Sequence, residues 1–231
     1  MSTNSDGSVS FPSFHSRDRE LNEADLARVR LASAIRQLNT ESFLSTTAIA
    51  NIEAAIAHIE QAIEKVAIAD GIPGSAAAES HFSDRSPFYG AMNPISMPMK
   101  MEQDPTVGEF GAVIGTATFT EIYEGPPGHI HGGFIAAAFD EVLGMAQSLT
   151  GRPGMTGTLS IKYRSPTPLN TPIVFKGWVE RVDGRKIFTK GTAHNGEMLC
   201  AEAEVLFLSM PPEMMDMLRK GRDLSANQQQ Q

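Results

Sequence analysis

Apolar residues recur along this chain with two different periods, and the change between them falls near residue 95. Asn22 followed three residues later by Asp25 is a helix-capping pattern, and Leu31, Ile35 and Leu38 then repeat at helical spacing, predicting a helix that ends near Asn39. Ile49, Ile52, Ile56, Ile59, Ile63 and Val66 alternate steps of three and four, a seam that calls for a partner helix. That partner is the preceding helix, in a helical hairpin spanning 21–71, or a second copy of the chain. Gly71, Pro73 and Gly74 close the second helix, and the Ser/Ala-rich stretch 72–94 reads as a linker.

Beyond residue 95 the period shortens. Met97–Met101 and Gly111–Ile122 read as strands, a helix covers His131–Leu149, and four strands follow: Thr156–Arg164, Pro172–Val182, Arg185–His194 and Glu197–Ser209. Asp183-Gly184 and Asn195-Gly196 are hairpin dipeptides whose two central residues take positive φ, so the last three strands form an antiparallel meander. In the last strand Leu199, Ala201, Ala203, Val205 and Phe207 alternate with Glu202 and Glu204, as for a strand with one face on a core. The predicted class is α+β, one curved sheet wrapped around one long apolar helix over 95–210. Residues 1–20 and the Gln-rich end of 211–231 have the composition of disordered tails, the latter preceded by a short helix around Met214, Met215 and Met217.

The long helix carries the chemistry. It opens on Gly132 and Gly133 and is apolar on nearly every face, yet holds Asp140 and Glu141. A buried carboxylate costs several kcal/mol unless something pairs with it or uses it. On a helix Asp140 shares a face with Gly133, Ala136, Ala137 and Gly144, all small, whereas Glu141 points ~100° away. Asp140 is therefore the candidate reactive carboxylate and Glu141 a supporting or interface group. The Gly132 and Gly133 N–H groups, at the positive end of the helix dipole, can polarise a carbonyl oxygen.

Charge adds a ligand class. The chain has 231 residues and a net charge of −8, but 151–190 holds eight basic residues against Glu180 and Asp183, a local +6 in a remainder of −14. A small polyanion held at one place fits that distribution, while a long nucleic acid would be repelled. No stretch approaches the ~20 apolar residues of a membrane span, no signal-peptide core is present, and Cys200 stands alone, so a cytoplasmic protein is expected. His129 and His131 lack a third spaced His or Cys, so no metal site is expected; His131 is assigned to the turn, with a minor role in binding.

Taken together, His131-Gly132-Gly133 with Asp140, Met155-Thr156-Gly157 leading into Ile161-Lys162-Tyr163-Arg164-Ser165-Pro166-Thr167-Pro168-Leu169, and Val182-Asp183-Gly184-Arg185-Lys186 resemble the hotdog-fold acyl-CoA thioesterases of the PaaI-like and THEM branch. The resemblance covers about 95–210. It implies Asp140 as general base or nucleophile, the Gly133 N–H on the thioester oxygen, and Thr156 orienting water or the carboxylate, a choice over Thr158 that alternation alone leaves open. It also implies Lys162, Arg164, Arg185 and Lys186 as CoA contacts, no cofactor, a medium- to long-chain acyl-CoA substrate, and a site built between protomers of a homodimer or dimer of dimers. One departure is Gly125, where some relatives carry an Asn that donates to the oxyanion. Two alternatives follow from the same residues. One is a non-catalytic acyl-CoA-binding module signalling through the N-terminal helices. The other, a hotdog hydratase, lacks a His one turn beyond Asp140.

Overall fold

The computed structural model describes residues 20–66, 82–97, 99–152 and 154–211, with 213, 214 and 217. Both predicted tails beyond these, the glycines and proline that close the second helix, and Met215 lie outside the described residues.

Six strands form one antiparallel sheet in the order β1-β2-β4-β5-β6-β3. They are β1 (Lys100–Asp104), β2 (Ala112–Thr118), β3 (Gly154–Tyr163), β4 (Pro172–Asp183), β5 (Lys186–Asn195) and β6 (Met198–Ser209). Helix α3 (Gly132–Ser148) lies in the concavity and buries Ile135, Ala138, Phe139, Val142, Leu143, Met145 and Ala146. This is the α+β arrangement that the pattern predicts, with the meander β4-β5-β6 intact.

The helix sits close to the sheet because the sheet leaves room for it. Gly177 on β4, Gly191 on β5 and Ala203 on β6 are register partners in one row. A Cβ on Gly177 would lie 2.8 Å from Leu143 Cδ2, and one on Gly191 would lie 3.1 Å from the same atom and 2.9 Å from the Lys176 carbonyl oxygen. Gly115 on β2 extends the groove, its absent Cβ 2.8 Å from Val142 Cγ2. Ridges of Phe139, Val142 and Leu143 fill the trough, and packing at this density tolerates no added methyl without displacement.

Both hairpins differ from expectation by one residue. Asp183 pairs with Lys186 and Asn195 with Met198, so the two-residue loops are Gly184-Arg185 and Gly196-Glu197. Only the glycines have positive φ, 56° in each. That is the pattern of a turn with Gly at its first central position, not of one with both centres left-handed. Strand β1 starts three residues later than predicted, and Met97 and Met99 go into the core ahead of it.

The N-terminal region departs most. Helix α1 (Glu23–Leu44) begins with the capping box, Asn22 accepting from the Asp25 N–H at 2.9 Å and Asp25 accepting from the Asn22 N–H at 3.1 Å. It runs past Asn39, since neither Gly nor Pro follows to stop it. Its buried residues are Asp25 and Ala32, while Leu31 and Leu38 of the predicted stripe remain exposed. Arg36, on the Ala32 side, donates to the Asn93 carbonyl at 2.7 Å and pins α1 to the domain. Helix α2 (Ile49–Val66) buries none of its residues, so α1 does not fill the isoleucine seam. Of the stretch 72–94 expected to be a linker, 72–81 lies outside the described residues and 82–94 is packed. From Phe82 a 3-10 turn leads into a packed segment in which Asp84, Ser86 and Ser96 are buried and Phe88 and Tyr89 join the core. Internal bonds make this possible: Ser96 Oγ donates to the Gly90 carbonyl, and Asn93 Nδ2 to that of Arg85. Among the described residues, no helix is long and apolar enough to cross a membrane.

Candidate active site

Helix α3 and strand β3 meet twice, and each meeting places candidate chemistry. At the far end, Thr156 Oγ1 donates to Asp140 Oδ1 at 2.8 Å. A β-bulge at Gly157 makes this possible: Thr156 is opposite Phe207 and Thr158 opposite Leu206, consecutive positions on β6 that face opposite ways. Without the bulge the two threonines would share a face; with it, only Thr156 turns toward the helix. A cleft of ≈ 450 Å³ opens beside them, walled by Tyr89, Glu141, Gly144, Met145 and Phe207. The helix does not engulf Asp140, which is half-buried at the cleft wall.

Glu141 carries a perturbed carboxyl. It turns toward the 82–90 segment, where Ser86 Oγ approaches its Oε1 at 3.5 Å. Burial first, and the neighbouring Asp140 charge second, push its carboxyl up to about 7. Tyr89, in the same cleft, is pushed up in turn by burial, then by Glu141 and Asp84. Sequence reasoning places Glu141 in a supporting role but offers no sign of Tyr89 or Ser86. They come from a segment whose packing only the fold reveals.

At the near end, His131 caps the helix, its Nδ1 accepting the Gly133 N–H at 3.0 Å. The Gly133 donor is thus engaged by the imidazole, and an incoming oxygen must displace an exposed ring to use it. Gly132 N–H, one residue earlier, has no acceptor among the described residues. Tyr163 Oη donates to the Gly132 carbonyl at 2.8 Å and tethers the end of β3 to the helix start. Its place between Lys162 and Arg164 is the only sequence hint of that. Gly125 packs against the His131 backbone, where a Cβ would fall 2.7 Å from its Cα, so this turn has no room for an Asn. His129 Nδ1 lies 2.8 Å from the Pro127 carbonyl oxygen.

Within one chain the predicted anion contacts do not converge. Arg164 is paired with Glu202 through both Nε and Nη2, at 2.6 Å each, and lies with Lys162 near the helix start. Arg185 donates to the Ser209 carbonyl, and Lys186 pairs with Leu208, beside the Thr156 end. Lys162 is opposite Glu202 on the same β6, so the two basic pairs stand ~20 Å apart along the strand. Lys176, Arg181 and Lys190 are matched locally by Asp104 and Glu180. These four groups therefore do not assemble one anion site within a single protomer. Gly133 and Asp140 are also separated, seven residues being ~10 Å along a helix.

Comparison with known proteins places these features. Residues 127–208 match the thioesterase superfamily. Over 91 residues the chain is 37% identical to acyl-coenzyme A thioesterase THEM4 of Xenopus laevis, covering 38% of this chain and 41% of that protein. Over 92 residues it is 35% identical to THEM4 of Mus musculus, covering 39% and 40%. The chain therefore spans about two fifths of these curated relatives. A crystal structure of a thioesterase superfamily protein superposes with a TM-score of 0.64 at 32% identity, covering 78% of this chain and 94% of that one. With that coverage and the sheet-wrapped helix, the chain belongs to the thioesterase superfamily and carries its hotdog fold.

Proposed function

We propose that this protein hydrolyses the thioester of a medium- to long-chain acyl-CoA, releasing the free acid and CoA. The observation that carries the proposal is the Thr156 to Asp140 hydrogen bond inside the cleft. It fixes one carboxylate oxygen and leaves the other to act. As a general base, Asp140 takes a proton from the attacking water and passes it to the departing thiolate. As a nucleophile, it displaces the thiolate to form a mixed anhydride, which water then hydrolyses to the free acid and the restored carboxylate, the proton released going to the thiolate. The helix-start N–H groups of Gly132 and Gly133 stabilise the oxygen of the tetrahedral intermediate.

Because Gly133 and Asp140 of one chain stand too far apart for one carbonyl, the complete site takes its two halves from two protomers. Strand β3 supplies the means. It is a ten-residue edge strand without proline, paired with β6 on one side only, and such an edge invites a second strand. An antiparallel pairing with β3 of a second copy, about a two-fold axis near Leu159 and Ser160, sets Thr156 of one protomer opposite Tyr163 of the other. Asp140 then faces the partner's helix start, and the basic pair Arg185 and Lys186 comes beside Lys162 and Arg164 across the axis, a joint site for the CoA phosphates.

The test is thiol release from acyl-CoAs by wild type, D140N, G133V and a refolded equimolar mixture of the two variants. Each variant alone is inactive. In the mixture half of the dimers are mixed and carry one intact site of two, so about a quarter of wild-type activity returns. No recovery rejects the shared site, and equal rates for wild type and D140N reject the chemistry. The alternative, a non-catalytic acyl-CoA-binding module that uses the exposed α2 seam for a partner, predicts binding without thiol release.

A further inference from the structure

We propose that the cavity beneath α1 receives the acyl tail, an inference that rests on the thioesterase reading and specifies where its substrate lies. The cavity measures ≈ 520 Å³, within the ~300–1,000 Å³ range of small-molecule pockets. Its apolar walls are Phe88, Met97, Ile122, Tyr123 and Phe134, and α1 closes it from outside with Ser33, Arg36 and Thr40. Phe134 follows Gly133 directly, and its ring lies 4.9 Å from that of Tyr123 and 6.2 Å from the His131 ring that caps the Gly133 N–H. A carbonyl held at the helix start therefore has this cavity one side chain away.

The other cleft suits a tail poorly. Asp140, Glu141, Gln147 and Ser148 line it, and alkyl chain laid over two carboxylates would strip their water without replacing it. Under α1, tail methylenes meet aromatic and methionine surface. The outer wall is firm: Ala32 is buried, Arg36 bonds to Asn93, and the capping box fixes the helix start. Helix α1, the 82–97 segment and the Thr118–Tyr123 stretch all precede the 127–208 match, so most of this pocket is built by sequence outside the matched domain. The N-terminal extension thus acts as the chain-length gauge for a reaction carried out elsewhere.

Two measurements test the placement. The wild-type 231-residue chain is photolabelled with an S-alkyl CoA thioether, which cannot be hydrolysed, bearing a terminal diazirine. Label is expected on peptides covering 33–40 and 118–123; label confined to 140–148 or 155–207 overturns the proposal. In the second, kcat/KM is measured for saturated acyl-CoAs of increasing length. It should rise about fourfold per methylene until the pocket is full, the ~0.8 kcal/mol of one buried CH₂ converted to a rate ratio. In S33F, which fills the outer wall, the optimum should move to shorter chains and the long-to-short ratio should fall at least tenfold. An unchanged optimum overturns the proposal. Absence of thiol release with every acyl-CoA rejects the hydrolase reading, whereas the labelling pattern still decides the cavity.

Discussion

Replacing Glu141 by Gln should stabilise the protein above neutral pH and leave it unchanged in acid. Free glutamate titrates near 4.5, as Glu141 does in the unfolded chain, while in the folded protein its carboxyl titrates at about 7. Between those values the native state holds a proton that the unfolded state has lost, so stability falls as pH rises, by ~1.4 kcal/mol per unit. The full loss, complete above pH 7, is about 3 kcal/mol as a ceiling, because water reaches part of the carboxylate. Gln reproduces the protonated form at every pH and escapes this loss. Urea unfolding of wild type and E141Q at fixed protein concentration, from pH 4 to 8.5, should give free energies that coincide below pH 4.5 and diverge above it. The gap should level off above pH 7, equivalent there to a melting-temperature rise of roughly 6–12 °C. A gap independent of pH, or none at all, would refute the assignment of burial and the Asp140 charge as its cause.

Three further outcomes are expected. D140N should lower kcat by about 10²–10⁴-fold with KM nearly unchanged, measured by steady-state thiol release, because it removes proton transfer and leaves the binding surfaces in place. T156A removes one hydrogen bond to a carboxylate, worth ~1.5–3 kcal/mol, and should cost roughly 10- to 150-fold in kcat, with T156S restoring most of it. H131A deletes the side-chain cap of α3 and should lose about 0.5–2 kcal/mol in denaturant unfolding, yet it frees the Gly133 N–H, so KM for acyl-CoA should fall.

The central helix and the face proposed to be reactive are legible in the sequence because helical spacing alone aligns Asp140 with Gly133 and separates it from Glu141. The antiparallel meander is legible for a similar reason, since Gly184 and Gly196 mark the only places where β4, β5 and β6 can turn. What escapes depends on register or remote packing. Choosing Thr156 over Thr158 requires the bulge at Gly157, which no alternation encodes. The proton affinity of Glu141 is raised by burial and then by Asp140, and the Ser86 hydroxyl that partly offsets this comes from more than fifty residues away in the chain. Helix α1 misleads because it docks through Ala32 and Arg36 and leaves its leucines outside, the reverse of an ordinary amphipathic helix.

The row formed by Gly177, Gly191 and Ala203 has a consequence for how losses of function should distribute over this molecule. Side chains can usually shim two layers apart or together, but here α3 rests almost directly on the backbone of β4 and β5. The reach from Asp140 to Thr156 is therefore a dimension cut by strands that never touch the cleft. A methyl at 177 or 191 crowds Leu143 and should disturb that seat without removing any group that lines the cleft. Variants there would present as active-site lesions, with thiol release lost well before folding, and a survey confined to residues lining the cleft would overlook them.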